Sequence, residues 1–371
     1  MATDRLSPRS RAVLAAVRRH GSVSRSMLIR ETGLSGTAVF RATEELEAAG
    51  LVRGGETIAS GRGQPSTTIH IQPDAAFSLG VSVMTDRADV VLVDLAGTVR
   101  GRRDITLPGM PRAPMLDAAV AFGLEQMAAA GVDRRRLRGL GVAVAGYFVA
   151  PFTVNPGHEL DDWALVDLHE VIGRQLGLPV VVENIANAAA LGERMLGIGA
   201  AYESLCYVNV AAGFGAGIIV DGTLMRGRHG NAGEIAGLFP SSGRVTPNLV
   251  TLLDRLSEHG VACSGISDMI ARFDLRWPGI EEWLAEHRPS FSYLFSTLRM
   301  TLDCEALILG GRLPRVLARR IVDAIDWPER HWPVRREHRA PPTSLEVATL
   351  DPELAGPLGA ASLVFHRTLF D

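Results

Sequence analysis

Residues 179–193 read Pro-Val-Val-Val-Glu-Asn-Ile-Ala-Asn-Ala-Ala-Ala-Leu-Gly-Glu, three valines followed within three positions by an alanine and leucine run free of proline. Consecutive β-branched residues form a short strand buried on both faces. The run from Ala186 to Leu196 consists largely of strong helix formers. A buried strand that turns straight into a helix belongs to an open α/β sheet, and such sheets bind ligands beyond the carboxyl ends of their strands. Glu183 and Asn184 stand at that end, with Ile185 directly behind them.

The rest of the chain supports this class. Its 371 residues suffice for two or three domains, and 47% apolar with 21% charged residues is a globular composition. Three scattered cysteines, none in a Cys-x-x-Cys pair, argue against a disulfide framework or a cysteine-rich zinc site and favour a reducing cytoplasm. The longest apolar stretch, Leu140 to Val154, falls short of the roughly 20 residues a membrane helix needs. Charge is uneven: residues 1–73 hold 10 arginines against 6 acids, a net +4, while the remainder is net −7. A basic first module on an acidic body hints at nucleic acid.

That first module has a pattern of its own. Apolar residues at Val13, Leu14 and Val17 mark one short helix. A second, Met27–Thr32, follows Ser24 as N-cap, and a third runs from Gly36 to Ala49 behind the turn Gly33-Leu34-Ser35. On the third helix Val39, Ala42, Leu46 and Ala49 share the inward face, leaving Thr37, Phe40, Arg41 and Glu44 outward and Ser35 as cap. An outward phenylalanine suits a thymine methyl in a major groove, and Arg41 suits guanine or phosphate. Alternating strands at 56–59 and 67–71 then flank Gly-Arg-Gly-Gln-Pro, whose Arg62, carried with Gln64 on a slim backbone, suits a narrow minor groove. Helix, turn, helix and wing together predict a winged helix-turn-helix over residues 1–73, with Ser35, Thr37, Phe40, Arg41, Arg62 and Gln64 as its DNA contacts.

Beyond Pro73 three strands (77–84, 88–94, 99–107) precede a helix at 114–131, a strand at 139–145, a helix at 165–176 and the strand–helix unit at 179–193. Strands at 205–210, 215–220 and 223–226, helical segments over 248–303, a strand at 306–309 and a last helix at 356–369 repeat the scheme. Three strands followed by alternating helices and strands, given twice, predict a two-lobed α/β body over residues 74–371 with a cleft between the lobes.

In its order and its local motifs the chain resembles the ROK family of repressors, uncharacterised reading frames and sugar kinases, whose body has an actin-like (ribonuclease H-like) fold. Its anchors are the winged helix with its Gly-Arg-Gly-Gln-Pro tip, Gly141-Val-Ala-Val-Ala-Gly146, Glu183-Asn…Gly-Glu193, Gly213-Phe-Gly-Ala-Gly217, Ala232-Gly-Glu-Ile235 and Leu309-Gly-Gly311. It looks most like the regulator branch typified by the xylose and N-acetylglucosamine repressors. The resemblance implies a double-stranded DNA operator, a homodimer or dimer of dimers, and a sugar-like effector.

Its departures shape the functional expectation. Family kinases carry an Asp-x-Gly-Gly-Thr turn near the ATP phosphates, a Gly-Thr-Gly-x-Gly loop, and a catalytic aspartate directly after Glu-Asn. This chain has Val83-Met-Thr-Asp86, Ala211-Ala-Gly-Phe-Gly215 and Ile185 at those places. The histidine and cysteine cluster of the family's zinc site is also missing: Ser241 to Leu256 contains no cysteine. No catalytic residue, metal or cofactor is therefore expected. Of four side chains that grip sugar hydroxyls in the family, Asn184 and Glu234 remain, and Asn155, Trp163, Asn187, Arg228, His229 and Asn231 could build a different ligand site around them. Asn184 and Glu234 fit a structural role equally, capping a helix and tying down a turn. Two other readings stand beside the repressor: a sugar kinase drawing its base from Asp161 or Asp162, and a ligand-blind regulator controlled by a protein partner.

Overall fold

Serines at 7, 24 and 35 each accept a hydrogen bond from the backbone N–H three residues on, and each opens a helix. These are α1 (Pro8–His20), α2 (Arg25–Thr32) and α3 (Gly36–Ala48), with a short strand β1 (Ser22–Ser24) between the first two. Strands β2 (Val52–Ile58) and β3 (Ser66–Ile71) form the wing, and β1 adds to β3 as a third strand that the sequence pattern did not announce. The computed structural model describes residues 6–58, 66–325 and 341–370.

The N-terminal lobe is built on β4 (Phe77–Val83), β5 (Ala88–Asp94), β6 (Val99–Ile105), β7 (Leu137–Val144) and β10 (Val180–Asn184). A small hairpin of β8 (Tyr147–Ala150) and β9 (Thr153–Asn155) precedes β10, and helices α4 (Arg112–Ala129) and α5 (Leu168–Leu176) make the crossovers. The sheet order is β10-β7-β4-β5-β6, antiparallel through β4, β5 and β6 and parallel through β4, β7 and β10. Every residue of β4 and β5 is buried, in keeping with their near-continuous apolar runs. The helix expected from Leu165 starts at Leu168, because Asp167 caps it and Leu165 itself has a positive φ of 56°.

Helix α6 (Ile185–Leu196) then leads to the C-terminal lobe. Its sheet comprises β11 (Leu205–Val210), β12 (Phe214–Val220), β13 (Thr223–Leu224), β14 (Ala306–Gly311) and β15 (Ser344–Val347), in the order β13-β12-β11-β14-β15. Its pairing scheme repeats that of the first sheet: antiparallel through β11, β12 and β13, parallel through β11, β14 and β15. Helices α7 (Leu238–Ser241), α8 (Leu249–Glu258), α9 (Ile266–Ala271), α10 (Ile280–Leu302) and α11 (Arg315–Asp323) complete it. The duplicated topology expected from the element order is thus present.

Helix α12 (Pro352–Phe365) joins these parts. It begins four residues before the expected Gly356, because Asp351 caps it through the Glu353 N–H. Almost all of it is buried, and it approaches its neighbours closely. A Cβ on Gly80 would fall 1.8 Å from the Pro357 carbonyl, and one on Gly359 would fall 1.7 Å from that of Ala188. Glycine is therefore required on both sides of this helix. Its last residue Phe365, and Leu369 just beyond it, enter the same hydrophobic core as Val13, Val17 and Leu46 of the winged helix and Val91 and Val93 of β5. This winged-helix head and the body share one packed interior.

Candidate functional site

The head presents its third helix as expected in most respects. Val39, Ala42 and Leu46 are buried, while Thr37, Arg41, Glu44 and the cap Ser35 are exposed. Ala49 is exposed, contrary to the inward role read from spacing; it lies past the last helical turn, as C-cap. Thr43 is buried instead, its hydroxyl donating to the Phe40 carbonyl at 2.7 Å. Phe40 is 44% exposed, and the Arg25 guanidinium sits 5.1 Å from its ring centroid. That leaves an aromatic ring with an arginine above it on an outward helix face. Arg62 and Gln64 lie outside the described residues.

Residues that meet between the two lobes come from β10, from the loop after β13 and from β8. Glu183, 3% exposed, accepts from the Arg226 Nε at 2.7 Å, the Asn184 N–H at 2.9 Å and the Asn187 Nδ2 at 3.0 Å. Three donors around a buried carboxylate fix its position. Asn184 caps α6 with its Oδ1 on the Ala186 N–H at 2.7 Å. Its Nδ2 donates to the Gly146 carbonyl at 3.0 Å and to Glu234 Oε1 at 3.3 Å. Glu234 is solvent-accessible at the cleft wall, yet the surrounding walls thin the water around its carboxyl and push its pKa up.

The expected ligand set is brought together only in part. Asn184 and Glu234 meet. Asn187 is 1% exposed and spends its amide on Glu183, so it supports the wall from behind. Asn155 donates to the Tyr147 hydroxyl at 2.7 Å within the β8–β9 hairpin. His229 is exposed on the loop after β13. Two further side chains matter here, Arg226 outside the expected set and Asn231 within it. Arg226 reaches across the cleft to Glu183, and Asn231 pairs with the backbone of Phe148 in the opposite lobe. An asparagine between Gly230 and Ala232 gave no local sign of that partner.

Ile185 is half-buried against Ala143, Ala188 and Ala360, an apolar niche without a proton acceptor on its own side chain. Asp162 accepts from the Arg112 N–H at 2.6 Å, which ties it to the start of α4. Asp161 faces solvent, 3.7 Å from the exposed His158. Asp86, in the β4–β5 turn where the family resemblance places phosphates, is bound by Arg312 of the other lobe. Among the described residues no group of three His, Cys, Asp or Glu side chains could hold a metal, and no helix is long and apolar enough to cross a membrane.

Comparisons with known proteins agree with this architecture. Residues 78–242 match the ROK family model, and residues 6–63 match the model of the MarR family. An uncharacterised protein of Sinorhizobium fredii is 26% identical over 98% of this chain and 92% of its own length. The xylose repressor of Bacillus subtilis is 28% identical over 60% of this chain, an alignment spanning 58% of that repressor. A solved ROK family transcriptional regulator, described as a homologue of the E. coli MLC protein, superposes with a TM-score of 0.72 at 20% identity, covering 99% of this chain and 98% of that one.

Proposed function

We propose that this chain, which carries a ROK-family domain behind a MarR-type winged helix, is a DNA-binding transcriptional repressor of carbohydrate-related genes acting in the cytoplasm. The observation that carries the reading is the shared core: α1 and α3 of the head pack with β5 and α12 of the body, so the head is fixed to the body. The exposed face of α3, with Thr37, Phe40 and Arg41, reads the major groove of an operator half-site. A homodimer supplies two heads one DNA turn apart.

The body binds a small sugar-like molecule at Asn184 and Glu234 and does not phosphorylate it. Ile185 cannot take a proton from a hydroxyl, and an Arg312–Asp86 pair stands where phosphates would have to enter. A ligand whose affinity differs between two lobe arrangements shifts their populations, and with them the spacing of the heads.

Fluorescence anisotropy with the DNA upstream of the protein's own gene tests the first part. A specific complex that survives competitor DNA at moderate salt supports it; equal affinity for unrelated DNA refutes it. Thermal-shift screening with sugars, sugar phosphates and glycosides tests the second, a saturable shift lost in Glu234→Ala being the expected result. A chain that binds its operator but responds to no carbohydrate would be governed by abundance or a protein partner instead.

A further inference from the structure

Arg312 follows β14 of the C-terminal lobe and is 7% exposed. Its NH1 donates to Asp86 Oδ1 at 2.8 Å and its NH2 to the Ser267 Oγ at 2.6 Å, while Ser267 donates to Asp86 Oδ2 at 2.5 Å. Asp86 sits at the tip of the β4–β5 turn in the N-terminal lobe, and Ser267 lies on α9 in the other. The triad therefore crosses the cleft, and both carboxylate oxygens of Asp86 are taken up by the opposite lobe. A buried ion pair is a poor source of net stability, because desolvation offsets much of the attraction. Opening the cleft, by contrast, leaves a buried guanidinium without its counter-ion. The arrangement specifies one lobe position more than it stabilises the fold.

The same turn is connected to the head. Arg87, next to Asp86, reaches Glu353 in the first turn of α12 at 2.8 Å. At the far end of α12, Phe365 and the following Phe370 hold the guanidinium of Arg18, at 5.3 and 5.4 Å from their ring centroids. Arg18 lies in the last turn of α1, in the winged helix. Between these ends α12 is clamped by backbone approaches at Gly80 and Gly359 that leave no room for a methyl group. A helix gripped in this way moves as a unit.

We propose that the Asp86–Arg312–Ser267 triad is an interlobe latch that sets the lobe arrangement without a bound nucleotide, and that α12 carries this setting to the winged helix through Arg18. The inference deepens the repressor reading and rests on it for its DNA readout, though not for its conformational one. The latch is the element whose two states, closed and open, both the cleft and the head can bias.

The test uses the full-length protein with Arg312→Ala and Asp86→Asn, each first shown to fold by circular dichroism. Small-angle X-ray scattering should show an expanded body in both variants, and the swap Asp86→Arg with Arg312→Asp should return it towards the wild-type profile. Operator affinity should shift by at least fivefold in Arg312→Ala, the lower end of ordinary coupling. Arg18→Leu, which keeps the packing and removes the cation, should cancel most of that shift in the double variant. Wild-type scattering from folded Arg312→Ala and Asp86→Asn overturns the latch. An affinity shift that stays additive with Arg18→Leu overturns the role of α12. Wild-type protein that binds no operator refutes the proposed function alone, since scattering still decides the latch.

Discussion

Asn231 of the C-terminal lobe and Phe148 of the N-terminal lobe exchange two hydrogen bonds of 2.8 Å, the side-chain amide accepting from the backbone N–H and donating to the backbone carbonyl. This is the pairing of a β-bridge made by a side chain, and it joins the two lobes. Asn231→Ala is expected to cost about 1–2 kcal/mol, since both Phe148 backbone groups are part-buried and lose their partner. Asn231→Asp should be no better, because a second acceptor then faces the Phe148 carbonyl. Urea unfolding measures the loss, and faster hydrogen exchange at the Phe148 amide locates it.

The outward face of α3 predicts a separation of stability from binding. Phe40→Ala removes a half-exposed ring and its contact with Arg25, worth about 0.5–1 kcal/mol at an exposed site. Arg41→Ala should leave the melting temperature nearly unchanged. Each should nevertheless weaken the specific DNA complex by about 1–3 kcal/mol, the discrimination a good base contact provides. Anisotropy titrations beside thermal melts separate the two; equal losses on specific and random DNA would mean that α3 contacts only phosphates.

A buried acid beside the latch makes stability depend on pH. Asp89 is 4% exposed, and burial pushes its pKa from 3.8 up to about 6, against the opposing pull of Arg87; its Oδ2 has no hydrogen-bond donor. With the folded pKa above the unfolded one, the folded state holds the proton more tightly. The associated stability is present below pH of about 4 and is lost as pH rises through about 6. Relative to Asp89→Asn, the wild type should therefore gain stability on acidification from pH 7 to 4, at no more than about 1.4 kcal/mol per pH unit. Parallel curves for the two proteins would show that Asp89 is ionised throughout.

Both sheets are legible in the sequence because their central strands, β4 and β11, are buried throughout and read as mostly apolar runs. The three helices of the head were legible through serine caps and glycine turns. What escaped was long-range. β15 is a four-residue strand next to residues outside the described range, and its sequence alternates too briefly to stand out. α12 looked like an ordinary terminal helix, since nothing in Pro352–Phe365 announces the glycines on β4 and α6 that receive it. Asp86 and Arg312 are 226 positions apart, so no spacing rule links them. Asn187 is a candidate ligand residue by sequence, but its amide is buried and donates to Glu183 four positions earlier.

An aspartate at position 185 tests the proposal that the body does not phosphorylate a sugar. Ile185→Asp places a carboxylate in a niche formed by Ala143, Ala188 and Ala360. Burial there favours the protonated form, which cannot act as a base, and should cost roughly 1–3 kcal/mol of stability. The phosphate side is no more hospitable. Asp86 puts a negative charge at the turn between β4 and β5, and Ala212 has no hydroxyl to offer in the loop between β11 and β12. Removing the latch as well, in Ile185→Asp with Arg312→Ala, uncovers Asp86 and so adds repulsion towards a triphosphate rather than a binding group. An ADP-release assay with a panel of hexoses and amino sugars should stay at background for the wild type and both variants. Sugar-dependent turnover in Ile185→Asp would mean that a competent phosphate site persists and that only the base was lost; turnover in the wild type, abolished by Asp161→Asn or Asp162→Asn, would make the body a kinase.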